Sequence, residues 1–240
     1  MADQLMMRGF WGPRQESAEG LAERLSAFCG RLGELFPGGA KEWLDAQEVA
    51  APLASPDGAR AFVEQRFAKL SEGEAELGVV LVASAEYADG TKLTFNASVG
   101  GFSELRTLKN NVVLKVDLPS GASAQDCVLI ARECFAVLLR EWEPDWADVT
   151  SHELWDAIRG TVQVKSRTPR AGFVTYLSSG RKVGVPAGIA AQSVETSGGG
   201  ILIGSVTDKE FLTPAQVADI DNALRPTPAF EPVPTDRSRL

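Results

Sequence analysis

Residues 77–99 read LGVVLVASAEYADGTKLTFNASV, and this stretch decides the fold of the chain. A β-branched apolar run, Leu77–Ala85, leads through Asp89-Gly90 into Leu93–Val99, where apolar and polar side chains alternate. Asp-Gly between two strand-like runs is typical of the tight turn of a β-hairpin. The stretch therefore predicts two antiparallel strands joined by a short turn.

A third strand and a long helix follow this hairpin. Asn111–Leu118 alternates apolar and polar residues, which is the period of a half-buried strand. Pro119-Ser120-Gly121 then turns the chain into a helix predicted over Ser123–Glu141. Ser123 with Asp126 three residues later resembles a capping box. One face of this helix is apolar enough to pack on the predicted sheet.

Further helices and strands flank this central group. They are a strand at Leu5–Trp11, a helix at Ser17–Phe36, a helix capped near Asp57, a strand at Trp146–Val149, a helix opened by Thr150 and Glu153, strands at Phe173–Leu177 and Gly200–Val206, and a helix capped by Thr213 and Gln216. No compositional break or repeat divides them. We therefore expect one α+β domain over residues 1–224, with a largely antiparallel sheet covered by helices. The prolines from Pro226 to Pro234 predict a flexible tail over residues 225–240.

Composition and charge favour a protein partner over nucleic acid. The chain has 240 residues and a net charge of −8, so its surface repels phosphate backbones unless a basic patch overrides that charge. The densest basic run, Lys165, Arg167 and Arg170, is short and has no interleaved aromatic residues, so we interpret it as a solvated loop. An acidic surface favours a basic partner.

Cysteine usage and the absence of targeting signals predict a cytoplasmic protein that does not contact membranes. Cys127 and Cys134 are seven residues apart on the predicted helix, so they lie about 10 Å apart and cannot form a disulfide. With Cys29 they are expected to be buried, reduced thiols. The N-terminus lacks the pattern of a signal peptide, and no apolar stretch approaches the length of a membrane span.

The sequence offers little for catalysis, a metal or a cofactor. His152 is the only histidine, and Asp156 stands where a zinc helix would place its second histidine. We therefore expect His152 simply to occupy the first turn of a short helix. The glycines Gly198–Gly200 precede a predicted strand instead of a helix, so they predict a turn and not a phosphate-binding loop. We predict no catalytic residues, no metal and no cofactor, although an active site made only of carboxylates stays open.

One segment, residues 141–156, combines tryptophans with acids and contains no lysine or arginine. Tryptophans supply desolvated contact area and acids steer encounter with a basic protein, so the segment predicts a partner-binding surface. Its candidate contact residues are Trp142, Glu143, Asp145, Trp146, Asp148, Glu153, Trp155 and Asp156. On this hypothesis, alanine at Trp142 or Trp146 weakens binding. The alternative is that the tryptophans are core residues and the acids form a solvated rim.

Three short motifs resemble a known family. They are RGFWGPR at residues 8–14, AGFVTYLS at 171–178 and GGILI at 199–203, which leads through TDKEF into the last helix. Together they resemble immunity protein 52, a family of bacterial immunity proteins of polymorphic-toxin and type VI secretion systems. Phe173 stands where that family's pattern suggests tryptophan.

The resemblance implies a cytoplasmic antitoxin that binds and inhibits a cognate secreted toxin. Members are paired with toxins that carry a restriction-endonuclease-like nuclease domain, so the partner is expected to be a DNase. Two other functions stay open: a chaperone or adaptor that escorts a secreted effector, and a small-molecule enzyme with a carboxylate-only site. A homodimer is also compatible with the predicted fold.

Overall fold

The computed structural model describes residues 4–36, 38, 40–71, 74–103, 110–119, 121–163, 168–204 and 210–232. The strands are β1 (Gln4–Trp11), β2 (Ala40–Asp45), β3 (Ala50–Ala51), β4 (Val79–Tyr87), β5 (Lys92–Val99), β6 (Asn110–Asp117), β7 (Trp146–Thr150), β8 (Val174–Leu177), β9 (Ser193–Glu195) and β10 (Ile201–Gly204). The helices are α1 (Ala18–Glu34), α2 (Pro56–Phe67), α3 (Ala124–Trp142), α4 (His152–Ile158), α5 (Ser179–Lys182), α6 (Ala187–Ala190) and α7 (Pro214–Leu224). Two 3-10 turns are formed by Ala75–Leu77 and Pro228–Phe230.

All ten strands form one sheet in the order β3-β2-β4-β5-β6-β1-β7-β8-β10-β9. Every neighbouring pair is antiparallel. The predicted hairpin is confirmed: Val79 pairs with Val99 and Glu86 with Lys92, and Gly90 takes a φ of +88° in the turn. The predicted α+β class, a largely antiparallel sheet covered by helices, is also confirmed.

Two hydrophobic cores lie on opposite faces of this sheet. Ala147 and Val149 of β7 belong to the larger core, together with buried residues of α1, α2 and α3. Trp146 of the same strand belongs to the smaller core, which includes buried residues of α4 and α7. Because successive side chains of a strand point to opposite faces, the two groups of helices cover opposite sides of the sheet.

The long helix α3 packs directly on β1, next to the segment that carries the predicted contact residues. A Cβ atom built on Gly9 would lie 3.0 Å from Cδ2 of Leu138, so glycine at this position permits the close approach of helix and strand. The predicted capping box of α3 is confirmed: the backbone N–H of Asp126 donates to Ser123 Oγ at 3.1 Å. The box formed by Thr213 and Gln216 at α7 is confirmed as well.

Two predicted helix starts were wrong. α2 begins after Ser55, whose Oγ accepts from Gly58 N–H at 3.2 Å, and Pro56 occupies the first turn in front of Asp57. α4 begins after Ser151, because Thr150 is already the last residue of β7. In both cases a serine one or two residues from the predicted cap has the extended backbone that an N-cap requires.

The C-terminal stretch differs from the expected tail over residues 225–240. Ala229 and Phe230 are buried in the smaller core, and Arg181 donates hydrogen bonds to the carbonyls of Ala229 and Glu231 at 3.0 and 2.8 Å. The prolines exclude a regular helix or strand, but they permit a 3-10 turn whose carbonyls are satisfied by a side chain. Residues 233–240 lie outside the described residues. Among the helices that are described, none combines the length and the apolar character needed to cross a bilayer.

Candidate protein-binding surface

The predicted contact segment runs from the end of α3 through β7 into α4, and its first two tryptophans lie in the interior. The side chain of Trp142 is fully buried in the larger core. Its ring stacks on Trp11 with 6.1 Å between the ring centroids, and it contacts Phe28 edge-on with 5.7 Å between the centroids. Trp146 is buried on the other face of the sheet and stacks on Phe10 at 4.5 Å. Neither indole is available to a partner on the folded protein.

Two of the acids in the segment are also buried. Each is paired with an arginine, whereas we expected acids without a basic partner. Asp148 accepts from Nε of Arg8 at 2.8 Å and forms a second bond with the same guanidinium. Asp145 accepts from Nε of Arg181 at 2.7 Å and from Oγ of Ser178 at 3.0 Å. The arginines come from β1 and α5, far away in sequence, so counting charges inside the segment could not reveal them.

The other four candidates reach the surface, but at two separate places. Glu143 is 63% exposed at the end of α3, where it lies 3.9 Å from Arg14 and 3.6 Å from Arg24. Glu153 and Asp156 are exposed on α4, and Trp155 between them is half-buried. Since α3 and α4 lie on opposite faces of the sheet, the structure does not bring the eight candidates together. Partner contact by these four remains a prediction.

A groove of about 770 Å³ runs between α3 and the β8–β10 end of the sheet. Its apolar lining includes Phe135 and Leu139 of α3, Tyr176 of β8 and Leu202 of β10. Hydroxyl groups and charged side chains form its rim: Arg132, Arg140, Glu143, Ser178, Ser179, Thr196 and Ser197. The groove could hold a side chain or a short loop of another protein.

This groove is not built like a carboxylate-only active site. Glu143 and Asp145 are the acids among its described lining residues. Asp145 is engaged with Arg181, and Glu143 lies beside Arg14 and Arg24 on the solvent side. An enzyme of that kind needs convergent acids that are free to exchange protons. Across the described residues, no three His, Cys, Asp or Glu side chains are placed to share a metal ion either.

The positions of the single histidine and of the three cysteines do not indicate a catalytic role either. His152 is exposed in the first turn of α4, as predicted. All three cysteines are buried and free. Burial raises the pKa of Cys29 well above its ordinary value and raises the pKa of Cys134 to about 12. Their thiolates, the reactive form of cysteine, are therefore suppressed near neutral pH.

We expect no cysteine of the folded protein to react with a maleimide at about pH 8, where an exposed thiol is partly ionised. Burial excludes the reagent and also keeps each proton on its sulfur. Mass spectrometry after a timed reaction measures this, with the urea-unfolded chain as the control in which all three cysteines are labelled. Rapid labelling of one cysteine in the folded state would contradict the prediction.

A second accessible surface is the face of β4, β5 and β6 that points away from α1–α3. Cross-strand rows run over it: Val82 pairs with Asn96, which pairs with Val113, and Val113 pairs with Arg8 of β1. Side chains on this face are exposed or half-buried, and those of the three strands are Val80, Val82, Ser84, Glu86, Lys92, Thr94, Asn96, Ser98, Asn111, Val113, Lys115 and Asp117. Val80 is 55% exposed. Among the described residues, neither core includes these side chains. We call this surface the uncovered sheet face.

The helix α4 stands beside this face, and its Trp155 contacts two arginines that the sequence pattern did not predict as its partners. The guanidinium carbons of Arg170 and Arg8 lie 4.8 and 5.5 Å from the centroid of the Trp155 ring. We predicted that Arg170 lies in a solvated loop, but its side chain is half-buried. Lys165 and Arg167, the other residues of that prediction, lie outside the described residues. An available signal was the charged Arg8 inside the apolar strand β1, because such a residue needs a partner.

Comparisons with known proteins agree with this fold. The family model described as Immunity protein 52 matches residues 5–221 of the chain. Among solved structures, the Pseudomonas aeruginosa T6SS protein PA0821 matches with a TM-score of 0.50 and 14% sequence identity, covering 92% of this chain and 72% of that chain. At this identity the likeness concerns the fold alone. No curated protein sequence matches the chain.

Proposed function

The chain belongs to the immunity protein 52 family, and from this membership we propose that it is the antitoxin of a secreted nuclease. Immunity proteins act by binding a cognate toxin, and they are generally not enzymes. In the proposal the protein binds its toxin in the cytoplasm and inhibits DNA cleavage by direct contact. The observation that carries the proposal is the family match over residues 5–221, nearly the whole described chain.

Charge and fold likeness support the proposal independently. A nuclease that grips DNA must present a basic surface to the phosphates, and a protein of net charge −8 attracts such a surface. The likeness to a protein titled as a T6SS protein supports a role beside a type VI secretion system. The toxin is then one delivered by kin or neighbouring cells, and the antitoxin protects the cell that contains it.

The described surfaces suit recognition of a folded protein better than recognition of a small molecule. The uncovered sheet face has no net charge: three valines lie among two serines, one threonine, two asparagines, two lysines, one glutamate and one aspartate. Interfaces between independently folded proteins have this mixed character. Trp155 on α4 borders this face through its contact with Arg8, and Glu153, Trp155 and Asp156 remain proposed toxin contacts. Glu143 belongs to the groove on the opposite side.

The proposal is tested by co-expressing the chain with the reading frame beside its gene and purifying through a tag on the chain. We expect a nuclease-like protein to co-purify in a defined ratio at moderate salt, and light scattering on the complex also decides whether the chain is a homodimer. A catalytically inactive toxin serves as a control that avoids toxicity. Failure to recover any partner at low or moderate salt would contradict the proposal.

A further inference from the structure

Three arginines and two aspartates converge between α4 and α7, and we call them the arginine cluster: Arg8, Arg170, Arg225, Asp148 and Asp221. They come from β1, from the residues before β8, from the end of α7, and from β7 and α7. Arg170 interacts electrostatically with all four of the others. Three positive charges therefore stand against two negative charges.

The two aspartates are already committed to the other arginines. Both oxygens of Asp148 bond the guanidinium of Arg8, and the carboxylate is fully buried. Asp221 is 1% exposed, bonds Arg225 Nη2 through both oxygens at 2.7 Å and also accepts the backbone N–H of Ala171 at 2.9 Å. These are paired, hydrogen-bonded ions of the kind that protein interiors tolerate. They leave no carboxylate of the cluster for Arg170.

Arg170 is the residue without an anion. Within the described part of the chain it makes no hydrogen bond or ion pair, and its one specific contact is the Trp155 ring. Burial and the nearby charge of Arg8 lower the pKa of Arg170, which means that its surroundings disfavour the positive charge. A half-buried cation in such surroundings is stabilised by any anion that reaches it.

The chemistry of Arg170 selects the kind of anion. A guanidinium presents five N–H donors in a planar fork that matches a carboxylate, and its stacking on an indole holds that fork in one orientation. Arg170 and Trp155 are both half-buried, so each is partly exposed to solvent. Tryptophan and arginine are also the residue types most enriched among those that dominate protein–protein binding energy.

The cluster lies at the border of the uncovered sheet face, which is large enough to form a substantial part of an interface. Arg8 belongs to β1 and pairs with Val113 of β6, so the cross-strand row of Val82, Asn96 and Val113 ends at the cluster. The three strands β4, β5 and β6 have eight or nine residues each. At about 3.3 Å per residue and about 4.8 Å per strand, they present about 400 Å². This is about half of the roughly 800 Å² per partner of a standard interface, and α4 with its flanks adds to it.

We propose that a carboxylate side chain of the cognate toxin docks on Arg170 against Trp155, and that the uncovered sheet face receives the toxin surface around it. This inference rests on the proposed function and names the surface that performs it. The net negative charge of the chain steers a basic partner, while Arg170, which pairs with no carboxylate of the described residues, fixes the orientation in which that partner binds.

The test is the affinity of full-length variants for the purified, catalytically inactive toxin, measured by calorimetry. For Arg170→Ala we expect the Kd to rise at least about 30-fold, the size of a dominant interface residue. Arg170→Lys keeps the charge but loses the fork, so a smaller rise is expected. Arg60→Ala on α2 is the matched control, because this arginine is 51% exposed, and its Kd should stay within about twofold.

Three further outcomes decide the matter. If Arg170→Ala binds the toxin with the same affinity as the wild type, this inference is overturned and the proposed function stands. If the wild type does not bind the toxin, both are overturned. A thermal melt shows whether each variant is folded. If Arg170→Ala does not fold, the charge-reversed variant Arg170→Glu is tested instead against toxin variants in which single Asp or Glu residues are changed to Lys. If no toxin variant restores the affinity that Arg170→Glu loses, the inference is overturned. Unchanged toxin affinity with a phosphate-dependent rise in Tm that requires Arg170 would assign the cluster to a free anion instead.

Discussion

Replacing Asp145 with alanine is expected to lower the free energy of unfolding by about 3–5 kcal/mol, because it leaves a buried guanidinium without its anion. Asp145 and Arg181 are 1% and 5% exposed, and the carboxylate accepts from the guanidinium at 2.7 and 2.5 Å. Asp145 also accepts from Ser178 Oγ at 3.0 Å. The variant removes the anion that joins the start of β7 to α5 and to the C-terminal 3-10 turn.

Urea denaturation followed by tryptophan fluorescence measures this loss, with the double variant Asp145→Ala/Arg181→Met as the control. The double variant removes the stranded charge, so we expect it to recover part of the stability, although Arg181 also serves the carbonyls of Ala229 and Glu231. A loss below about 1 kcal/mol for the single variant would mean that the pair is solvated, as at a surface salt bridge. That result would contradict the burial of Asp145 and Arg181.

Trp142→Ala is the second large change, with an expected loss of about 3–5 kcal/mol from a cavity in the larger core. The ring is fully buried, and its contacts with Trp11 of β1 and Phe28 of α1 connect the end of α3 to both elements. With a total stability of roughly 5–15 kcal/mol, such a loss unfolds a large fraction of the protein under mild denaturant. Any weakening of toxin binding by this variant would then follow from unfolding.

The matched control is Trp155→Ala, which removes the same side chain from the half-buried position on α4. We expect this variant to lose less stability than Trp142→Ala in the same denaturation experiment. If instead Trp142→Ala keeps its unfolding midpoint and weakens toxin binding, then Trp142 is a contact residue and its assignment to the core is wrong. The pair of variants therefore separates the two interpretations of the tryptophan-rich segment.

The parts of the fold that were predictable from sequence are those fixed by neighbours along the chain. The hairpin at Asp89-Gly90, the alternation in β6 and the capping boxes of α3 and α7 each depend on residues within a few positions of one another. The short elements β3, β9, α5 and α6 have two to four residues, too few for any period to appear. Their positions follow from tertiary contacts instead.

The candidate site was less predictable because its charges pair across long sequence distances. Asp148 pairs with Arg8 over 140 positions, and Asp145 pairs with Arg181 over 36. A segment that lacks lysine and arginine therefore looked like an unpaired acidic surface, although half of its candidate residues are interior. Strand alternation also could not show that the outer face of β4–β6 stays outside both cores, because that depends on where α4 and α7 pack.

The resemblance drawn from three short motifs is confirmed by the family match over residues 5–221. Those motifs serve the fold. The first lies in β1 and the loop after it, the second in β8, and the third in the turn at Gly199 and in β10. They identify the family because they fix how its strands meet at the centre and end of the sheet. They do not identify the toxin contacts, which we propose at positions such as Arg170 that the motifs leave out.

The most direct measurement of the central claim is DNA cleavage by the purified cognate toxin, titrated with the full-length chain. Inhibition by direct contact predicts that cleavage falls in proportion to added protein and is abolished when every toxin molecule is bound. Cleavage that persists in the saturated complex would contradict inhibition and indicate a protein that escorts its effector. Cleavage that is unaffected because no complex forms would contradict the antitoxin function altogether.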